Sequence, residues 1–407
     1  MKTTATLSKK SQATSGSDLP GKITKALRAV LPDGEKNYPL HEPQFSGREW
    51  EYVKDCIDTR MVSSVGSYVD RFERMLEEYT GAKHAVAVVN GTAGLHVALR
   101  LAGVIPGDEV LVPALTFVAT ANAVIYCGAI PHFVDSEEKT LGLDAGKLKE
   151  HLRAQTVRRD GVCVNQKTGR IIRALLPMHA FGHPADIERL ADVAREFGLA
   201  LVEDAAESLG SFYRGSHTGT LGLLGVVSFN GNKILTTGGG GAILTNSPEL
   251  AKRAKHLTTV AKVPHAWEYR HDEVGYNYRL PNLNASLGCA QMEQLPGILA
   301  AKRALHQRYL TAFQGLDGVR LIEEAQNRRS NYWLETALLD RGLEKNLEPI
   351  LEKLHQEKIF ARPAWSPLHL LAPYQHFPRM DLASVESLSK RIFNLPSSPA
   401  LGAGIVA

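Results

Sequence analysis

Short, uninterrupted apolar runs alternate along this chain with longer stretches in which apolar residues recur every three or four positions. The runs at 85–89, 109–113 and 131–134 predict buried strands, and 93–102 predicts a helix between the first two. The alternation continues with strands over 173–178, 199–203, 226–229 and 241–245 and an amphipathic helix over 184–197. Strands joined by helical crossovers imply an α/β architecture around a largely parallel sheet buried on both faces. From Asn282 to Phe313 the spacing is helical, although Pro296 lacks the amide that a helix interior needs and is expected to kink or divide the segment. A strand over 332–339, a helix over 347–358 and turns rich in proline from Pro363 to Pro399 predict a smaller α+β unit. The expected organisation is a flexible N-terminal extension over 1–37, where polar residues dominate, then a large α/β domain over 38–290 and a small α+β domain over 291–407.

Composition narrows the class without naming a function. A chain of 407 residues with 44% apolar side chains hides about three quarters of its unfolded surface by the scaling of area with mass. A miniprotein and a disordered polymer are excluded. The 47 Lys and Arg are interspersed with 43 Asp and Glu for a net charge of +4, so no basic stripe marks nucleic acid as a partner. Cys56, Cys127, Cys163 and Cys289 form no CxxC pair and read as reduced, buried thiols. No apolar run reaches the roughly 20 residues of a membrane span, and residues 1–18 lack the apolar core of a signal peptide. The expectation is a soluble, cytoplasmic protein that does not engage a membrane.

Three segments carry candidate chemistry. Asn90-Gly91-Thr92-Ala93-Gly94 follows a predicted strand and opens a predicted helix. Free amides at a helix N-terminus and a Thr hydroxyl suit a phosphate, but the same residues also make an ordinary capped turn. Asp204 ends a buried strand, where a carboxylate is poorly solvated and calls for a cationic partner such as a protonated pyridine nitrogen. Lys233 follows another apolar strand and precedes Thr236-Thr237-Gly238-Gly239-Gly240-Gly241. A lysine there can form a Schiff base, while the glycines let backbone approach a ligand. Singly, each residue is better explained by a capping Asp or a surface Lys beside a loop. Jointly, a phosphate turn, a strand-end Asp and Ser228-x-x-x-x-Lys233 before a glycine run occur in the order a pyridoxal-phosphate site requires.

With those segments in place the chain resembles the DegT/StrS family of pyridoxal-phosphate (PLP)-dependent nucleotide-sugar aminotransferases, over about 38–401. The matching stretches are 90–93, 113–122, 181–186, 202–207, 228–233 and 275–280. Within the family it is most similar to the LegC-like branch, through Ser63-Ser64-Val65-Gly66 and 264–273. The resemblance implies the PLP-dependent transferase fold type I, like aspartate aminotransferase, with a large domain of mainly parallel sheet. It makes Lys233 the lysine that holds the cofactor and shuttles the proton, and Asp204 the partner of the pyridine nitrogen. Gly91, Thr92, the Ala93 backbone and Ser228 would hold the phosphate, Phe117 would stack on the ring, and Asn230 and Glu207 would lie at the cofactor. Asn277 resembles the residue lent across a dimer interface to the neighbour's phosphate, which implies a homodimer with composite sites. His183, Arg270 and Arg279 are candidate contacts for the sugar nucleotide.

The chain departs from the family pattern where Gly239 replaces a frequent Glu, where Glu207 stands for a frequent Gln or His, and where it ends at Ala407 without a usual final helix, which reads as a truncation. No histidine spacing matches a metal motif such as HExxH, so no metal is expected. The function implied is transfer of an amino group from glutamate to C4 of a UDP-linked 4-keto-6-deoxy-N-acetylhexosamine, for deoxyamino-sugar, surface-polysaccharide or nonulosonic acid biosynthesis. The alternatives are a perosamine-type reaction on GDP-4-keto-6-deoxymannose and a non-catalytic PLP-binding regulator. Lys233 argues against the family's dehydratases, in which His replaces that lysine. The glycine run lacks the Gly-Lys-Ser/Thr of a phosphate-binding loop, so a simple nucleotide module does not fit.

Overall fold

The computed structural model describes residues 18–33 and 37–403. Its framework there is a nine-stranded sheet. Seven strands form a continuous path: β1 (His84–Val88), β2 (Glu109–Pro113), β3 (Ile130–Val134), β4 (Ile171–Leu175), β5 (Ala200–Asp204), β6 (Leu224–Ser228) and β7 (Gly241–Thr245), in spatial order β1-β7-β6-β5-β4-β2-β3. A hairpin of Thr156–Arg159 and Val162–Asn165 extends the sheet beside β4. From β6 through β5, β4 and β2 to β3 every pairing is parallel, whereas β7 runs antiparallel to both β6 and β1. Every residue of β2, β6 and β7 is buried, which is why these strands read as solid apolar runs.

That topology sets where a ligand goes. Because β7 reverses between them, β1 runs in the same direction as the parallel set. The residues that follow β1, β2, β5 and β6 therefore emerge along one edge of the sheet. In open α/β sheets this carboxyl edge is where ligands bind.

A second sheet comprises β8 (Val319–Leu321), β9 (Glu335–Leu339), β10 (Arg362–Pro363) and β11 (Ile392–Leu395), all antiparallel, in order β8-β9-β11-β10. Four helices bear on the site or on the expectations above: α1 (Leu19–Arg28), α2 (Gly91–Leu101), α3 (Val118–Tyr126) and α4 (Asn282–Phe313).

The expected flexible extension over 1–37 is corrected by α1. Asp18 caps this helix by accepting from the Gly21 amide at 2.9 Å. Leu19, Ile23 and Leu27, four residues apart, make one apolar stripe that is buried with Leu305, Tyr309 and Phe313 of α4 and with β8 and β9. The polar majority of the segment masked this stripe. Residues 1–17 and 34–36 of the expected extension lie outside the described residues. Pro296 likewise does not divide its segment, because α4 is one helix of 32 residues. Its buried side chains enter both hydrophobic cores, and packing along its length offsets the one amide that proline removes. The 290/291 division falls inside this helix.

If α1 is an integral part of the small domain, Leu27→Ala opens a cavity in a fully buried position. Chemical denaturation is expected to show a loss of about 2–4 kcal/mol. A loss below about 0.5 kcal/mol would mean that the helix does not contribute to the folded core.

Candidate functional site

The carboxyl edge of the large sheet opens into a cleft of about 530 Å³, lined by residues that follow β1, β2, β5 and β6 and by a few from the small domain. At the end of β1, Asn90 is extended, and its side chain accepts from the Ala93 amide at 2.8 Å, which starts α2. The amides of Gly91 and Thr92 are then the orphan donors of the first turn. Gly94 lets α2 lie directly on the sheet, since a Cβ there would come within 2.8 Å of Val226. A Cβ on Gly91 would sit 3.0 Å from the Ser228 Cβ and 3.2 Å from its hydroxyl, so glycine brings the turn and the end of β6 together. The Thr92 and Ser228 hydroxyls and two free amides thus converge on one concave spot, a donor set that suits a phosphate.

Two adjacent acids at the end of β5 point to opposite faces and meet opposite fates. Glu203 accepts from the amides of Gly219, Leu221 and Gly222 at 2.6 to 2.9 Å and from His179 Nε2 at 3.0 Å. The His179 tautomer follows from its other nitrogen, which accepts from the Ala185 amide at 3.1 Å. Burial pushes the Glu203 pKa up, but His179 and the backbone amides outweigh it and hold the value below normal. Asp204 faces the cleft, 3% exposed, and is met by the Thr120 hydroxyl at 2.7 Å and the Ala206 amide at 3.2 Å. Both donors are neutral, and among the described residues no cation pairs with it. Burial accordingly raises its pKa, with only partial relief from Thr120, Ala206 and the charge of Lys233. A buried carboxylate lacking a cation, aimed into a cleft beside a phosphate cradle, fits the protonated nitrogen of PLP.

Lys233 closes the floor of the cleft. Its Nζ lies 3.1 Å from Glu207 Oε1 and 4.0 Å from the centre of the Trp333 ring, a contact of ion-pair and cation–π character. The other Glu207 oxygen accepts from the Phe181 amide at 2.9 Å. Burial raises the Glu207 pKa, against the lowering effect of Lys233. Phe181 has a left-handed backbone, φ 56°, and its ring stacks on Trp365 with centroids 4.5 Å apart. Such strain in a non-glycine residue is sustained where surrounding contacts over-determine the loop. Trp333 is held by three bonds: its indole donates to the Asn232 carbonyl at 2.7 Å, its amide to Asn331 Oδ1 at 2.8 Å, and its carbonyl accepts from Lys302 Nζ at 2.8 Å. Lys302 is fully buried on α4, which pulls its pKa down to about 7.

The cleft therefore brings together Gly91, Thr92, Phe117, Asp204, Glu207, Ser228, Asn230 and Lys233. Ala93 contributes through its amide, bonded to Asn90 rather than free. Phe117 is 53% exposed at the start of α3, which leaves a ring face open to a ligand. The three proposed sugar-nucleotide contacts are not in the lining. His183 is buried in the protein interior, edge-on to Tyr332, and burial lowers its pKa to about 3. Arg270 sits on an exposed two-stranded ribbon and pairs with Glu268. Arg279 bridges to Val88 by its backbone. Asn277 is exposed and pairs by its backbone with Thr259, away from the lining. Thr120, Phe181, Asn232, Trp333, Arg362 and Trp365 were missed. Thr120 had a signal in its place three residues after Phe117 at a helix start; the small-domain residues had none, since only tertiary packing brings them here.

Comparison with known proteins agrees with this geometry. Residues 43–406 match the DegT/DnrJ/EryC1/StrS aminotransferase family. EpsN of Bacillus subtilis (strain 168) is 39% identical over 366 residues, covering 89% of this chain and 91% of that protein. The GDP-perosamine synthase of Caulobacter vibrioides is 38% identical, covering 88% and 92% respectively. Among solved structures, the aminotransferase TlmJ from Streptoalloteichus hindustanus superposes with a TM-score of 0.80 at 28% identity, covering 89% of this chain and 94% of that one. The chain belongs to the DegT/DnrJ/EryC1/StrS aminotransferase family and is a pyridoxal-phosphate-dependent enzyme of fold type I.

Proposed function

We propose that this enzyme moves the amino group of glutamate to the C4 carbonyl of a nucleotide-linked 4-keto-6-deoxyhexose. The observation that carries the reading is the convergence, in one cleft, of Lys233 Nζ, the cation-free Asp204 carboxylate and the Gly91–Ser228 cradle. When bound, PLP supplies the carbonyl that accepts an amine and the ring that withdraws charge from the neighbouring carbon. The chain's residues do the rest. Asp204 would hold a proton on the ring nitrogen, the cradle would anchor the phosphate, and Phe117 would offer a face to the ring. Lys233 would accept and return a proton at Nζ, and Glu207 holds that amine in place.

The perosamine synthase relative supports GDP-4-keto-6-deoxymannose as the acceptor. The UDP-linked N-acetylhexosamine reading rests on 63–66 and 264–273, neither of which contributes to the cleft lining. A homodimer with composite sites belongs to the same proposal. It is supported by the exposed large apolar residues Trp267, Tyr269 and Val274, which precede Asn277 in the same segment and suit contact with a second copy. No helix among the described residues is long and apolar enough to cross a membrane; a cytoplasmic setting belongs to the same proposal.

Borohydride reduction of the PLP-loaded protein is expected to place the added mass on the peptide containing Lys233. Glutamate should bleach the cofactor's visible band, and Lys233→Ala should lower turnover by at least about 10³-fold. With the enzyme in its amine form, kcat/KM for the GDP-linked keto sugar should exceed that for the UDP-linked one by more than about tenfold. The reverse ranking would assign the N-acetylhexosamine.

The raised pKa of Asp204 has a stability consequence of definite sign. Between the unfolded value, about 3.9, and the raised native value, the folded state binds more protons than the unfolded state. Stability without cofactor therefore falls as pH rises through that window. Asp204→Asn removes the slope, so the cofactor-free variant should be at least as stable as the native protein at about pH 8, while binding PLP at least about tenfold more weakly. A cofactor-free variant clearly less stable than the native protein at that pH would show that the carboxylate is structural.

A further inference from the structure

The wall that the small domain sets against Lys233 hangs on a second lysine, one that does not line the cleft. Lys302 is fully buried on α4, where desolvation pulls its pKa down to about 7. An amine is an unfavourable occupant of such a position unless its donors are used. They are used on two backbone carbonyls, that of Trp333 at 2.8 Å and that of Ser397. Each carbonyl belongs to a segment that reaches the site. The Trp333 indole donates to the carbonyl of Asn232, the residue before Lys233, at 2.7 Å, and its ring centre lies 4.0 Å from Lys233 Nζ. Asn331, in the same segment, donates to the Glu207 and Leu209 carbonyls at 2.9 Å, bracing the residue that pairs with the Lys233 amine. The Ser397 amide donates to the Leu40 carbonyl at 2.7 Å, and Leu40 lines the cleft.

The segment that Lys302 holds has a backbone shape it does not favour by itself. Tyr332 is left-handed, φ 49°, which a bulky residue sustains only where its surroundings impose it. Its ring stacks on His306 with centroids 3.8 Å apart, and His306 Nδ1 is paired with Glu335 at 2.8 Å. His306 follows Lys302 by four positions on α4, so both reach the segment from one face of the helix.

We propose that Lys302 is a positioning residue for the reaction: through the Trp333 carbonyl it keeps the indole over the Lys233 amine and bonded to the turn that carries it. The inference rests on Lys233 being the reacting lysine, as proposed above. A lysine that served only the fold would stabilise the small domain without setting what Lys233 does. One that positions must act through Trp333, and it must change the rate of the reaction rather than the affinity for substrate, since Lys302 itself is outside the cleft.

Four variants test this: Lys302→Gln, which keeps donors on a shorter arm, Lys302→Met, which keeps the length and loses the donors, Trp333→Leu, and Lys302→Gln combined with Trp333→Leu. Chemical denaturation checks that each is folded. In the cofactor-free proteins, modification of Lys233 by trinitrobenzenesulfonate is followed by peptide mass, with the largely exposed Lys54 as the reference. In the PLP-loaded proteins, glutamate is titrated to separate the maximal rate of band loss from the half-saturating concentration. Expected in Lys302→Gln is modification of Lys233 about 3- to 10-fold faster and a maximal rate about tenfold lower, with half-saturating glutamate within about twofold of native. Lys302→Met should go further in both, because it leaves two buried carbonyls unpaired. Trp333→Leu should reproduce these changes, and adding Lys302→Gln to it should alter either readout by less than about twofold, because both act through one contact. Unchanged modification and rate in folded Lys302 variants overturn the proposal, as do effects of Lys302 and Trp333 that multiply, or a change confined to half-saturating glutamate. If Lys302→Met does not fold, the cycle of Gln and Leu variants decides. If no amino acid bleaches the native band, the aminotransferase reading fails, while the modification of Lys233 still decides the role of Lys302: faster in the Gln variant but not further in the double variant supports it, and unchanged sinks it.

Discussion

A carboxylate buried without a cation of its own organises this molecule. Asp204 stands at the end of the central strand β5, supported by one hydroxyl and one amide, and in the protein alone that placement is unfavourable. Its neighbour shows the contrast, since Glu203, on the other face of the same strand, is saturated by three backbone amides and a histidine. One acid is arranged to be content within the fold and the other to want a positive charge from outside. Selection for stability alone would have replaced Asp204 by an amide or an apolar residue.

The topology makes that placement usable. Parallel strands β2, β5 and β6, together with β1, all end on the same edge, so residues separated by more than a hundred positions meet there without long loops. The small domain then supplies a wall. Buried Lys302 on α4 ties the Trp333 carbonyl to the Ser397 carbonyl, and the Trp333 ring lies over the Lys233 amine. The helix that passes through both cores therefore also holds the aromatic surface against Lys233, which couples packing of the small domain to the geometry of the cleft.

Much of the large domain was legible because buried parallel strands leave solid apolar runs. The predicted strands over 109–113 and 241–245 coincide with β2 and β7, and the others lie within a few residues of β1, β3, β4, β5 and β6. The hairpin Thr156–Arg159 with Val162–Asn165 went unread, because its first strand is half-exposed to exposed and its second, though largely buried, is only four residues long, and neither carries a clear alternation. The helix α1 was hidden by polar composition although its stripe at 19, 23 and 27 was present. In the site, the residues legible in advance were those adjacent in sequence to a strand end, from Gly91 to Lys233. The small-domain wall could not be read, since Trp333 and Arg362 owe their places to contacts across the two sheets. His183, Arg270 and Arg279 were chosen from segments that resemble the family and for their donor chemistry, without a strand end to place them, and none lies in the cleft lining.

The two departures from the family pattern fall at separate places, Glu207 in the cleft lining and Gly239 outside it. The glycine loop with Gly239 in place of an acid is held by neutral groups: Thr237 Oγ1 donates to the Gly239 carbonyl at 2.8 Å, Asn284 donates to the Thr237 carbonyl at 2.7 Å, and the Gly238 amide donates to Thr236 Oγ1 at 2.9 Å. The loop needs no charge to keep its shape and contributes none to the cleft. The carboxylate beside the Lys233 amine is that of Glu207, whose second oxygen is fixed by the strained Phe181 loop. A Gln at 207 would keep the hydrogen bond but leave the half-buried Lys233 amine with no nearby acid except Asp204. With Glu207 in place, Lys233 has its own counter-ion, and the Asp204 carboxylate is left without one.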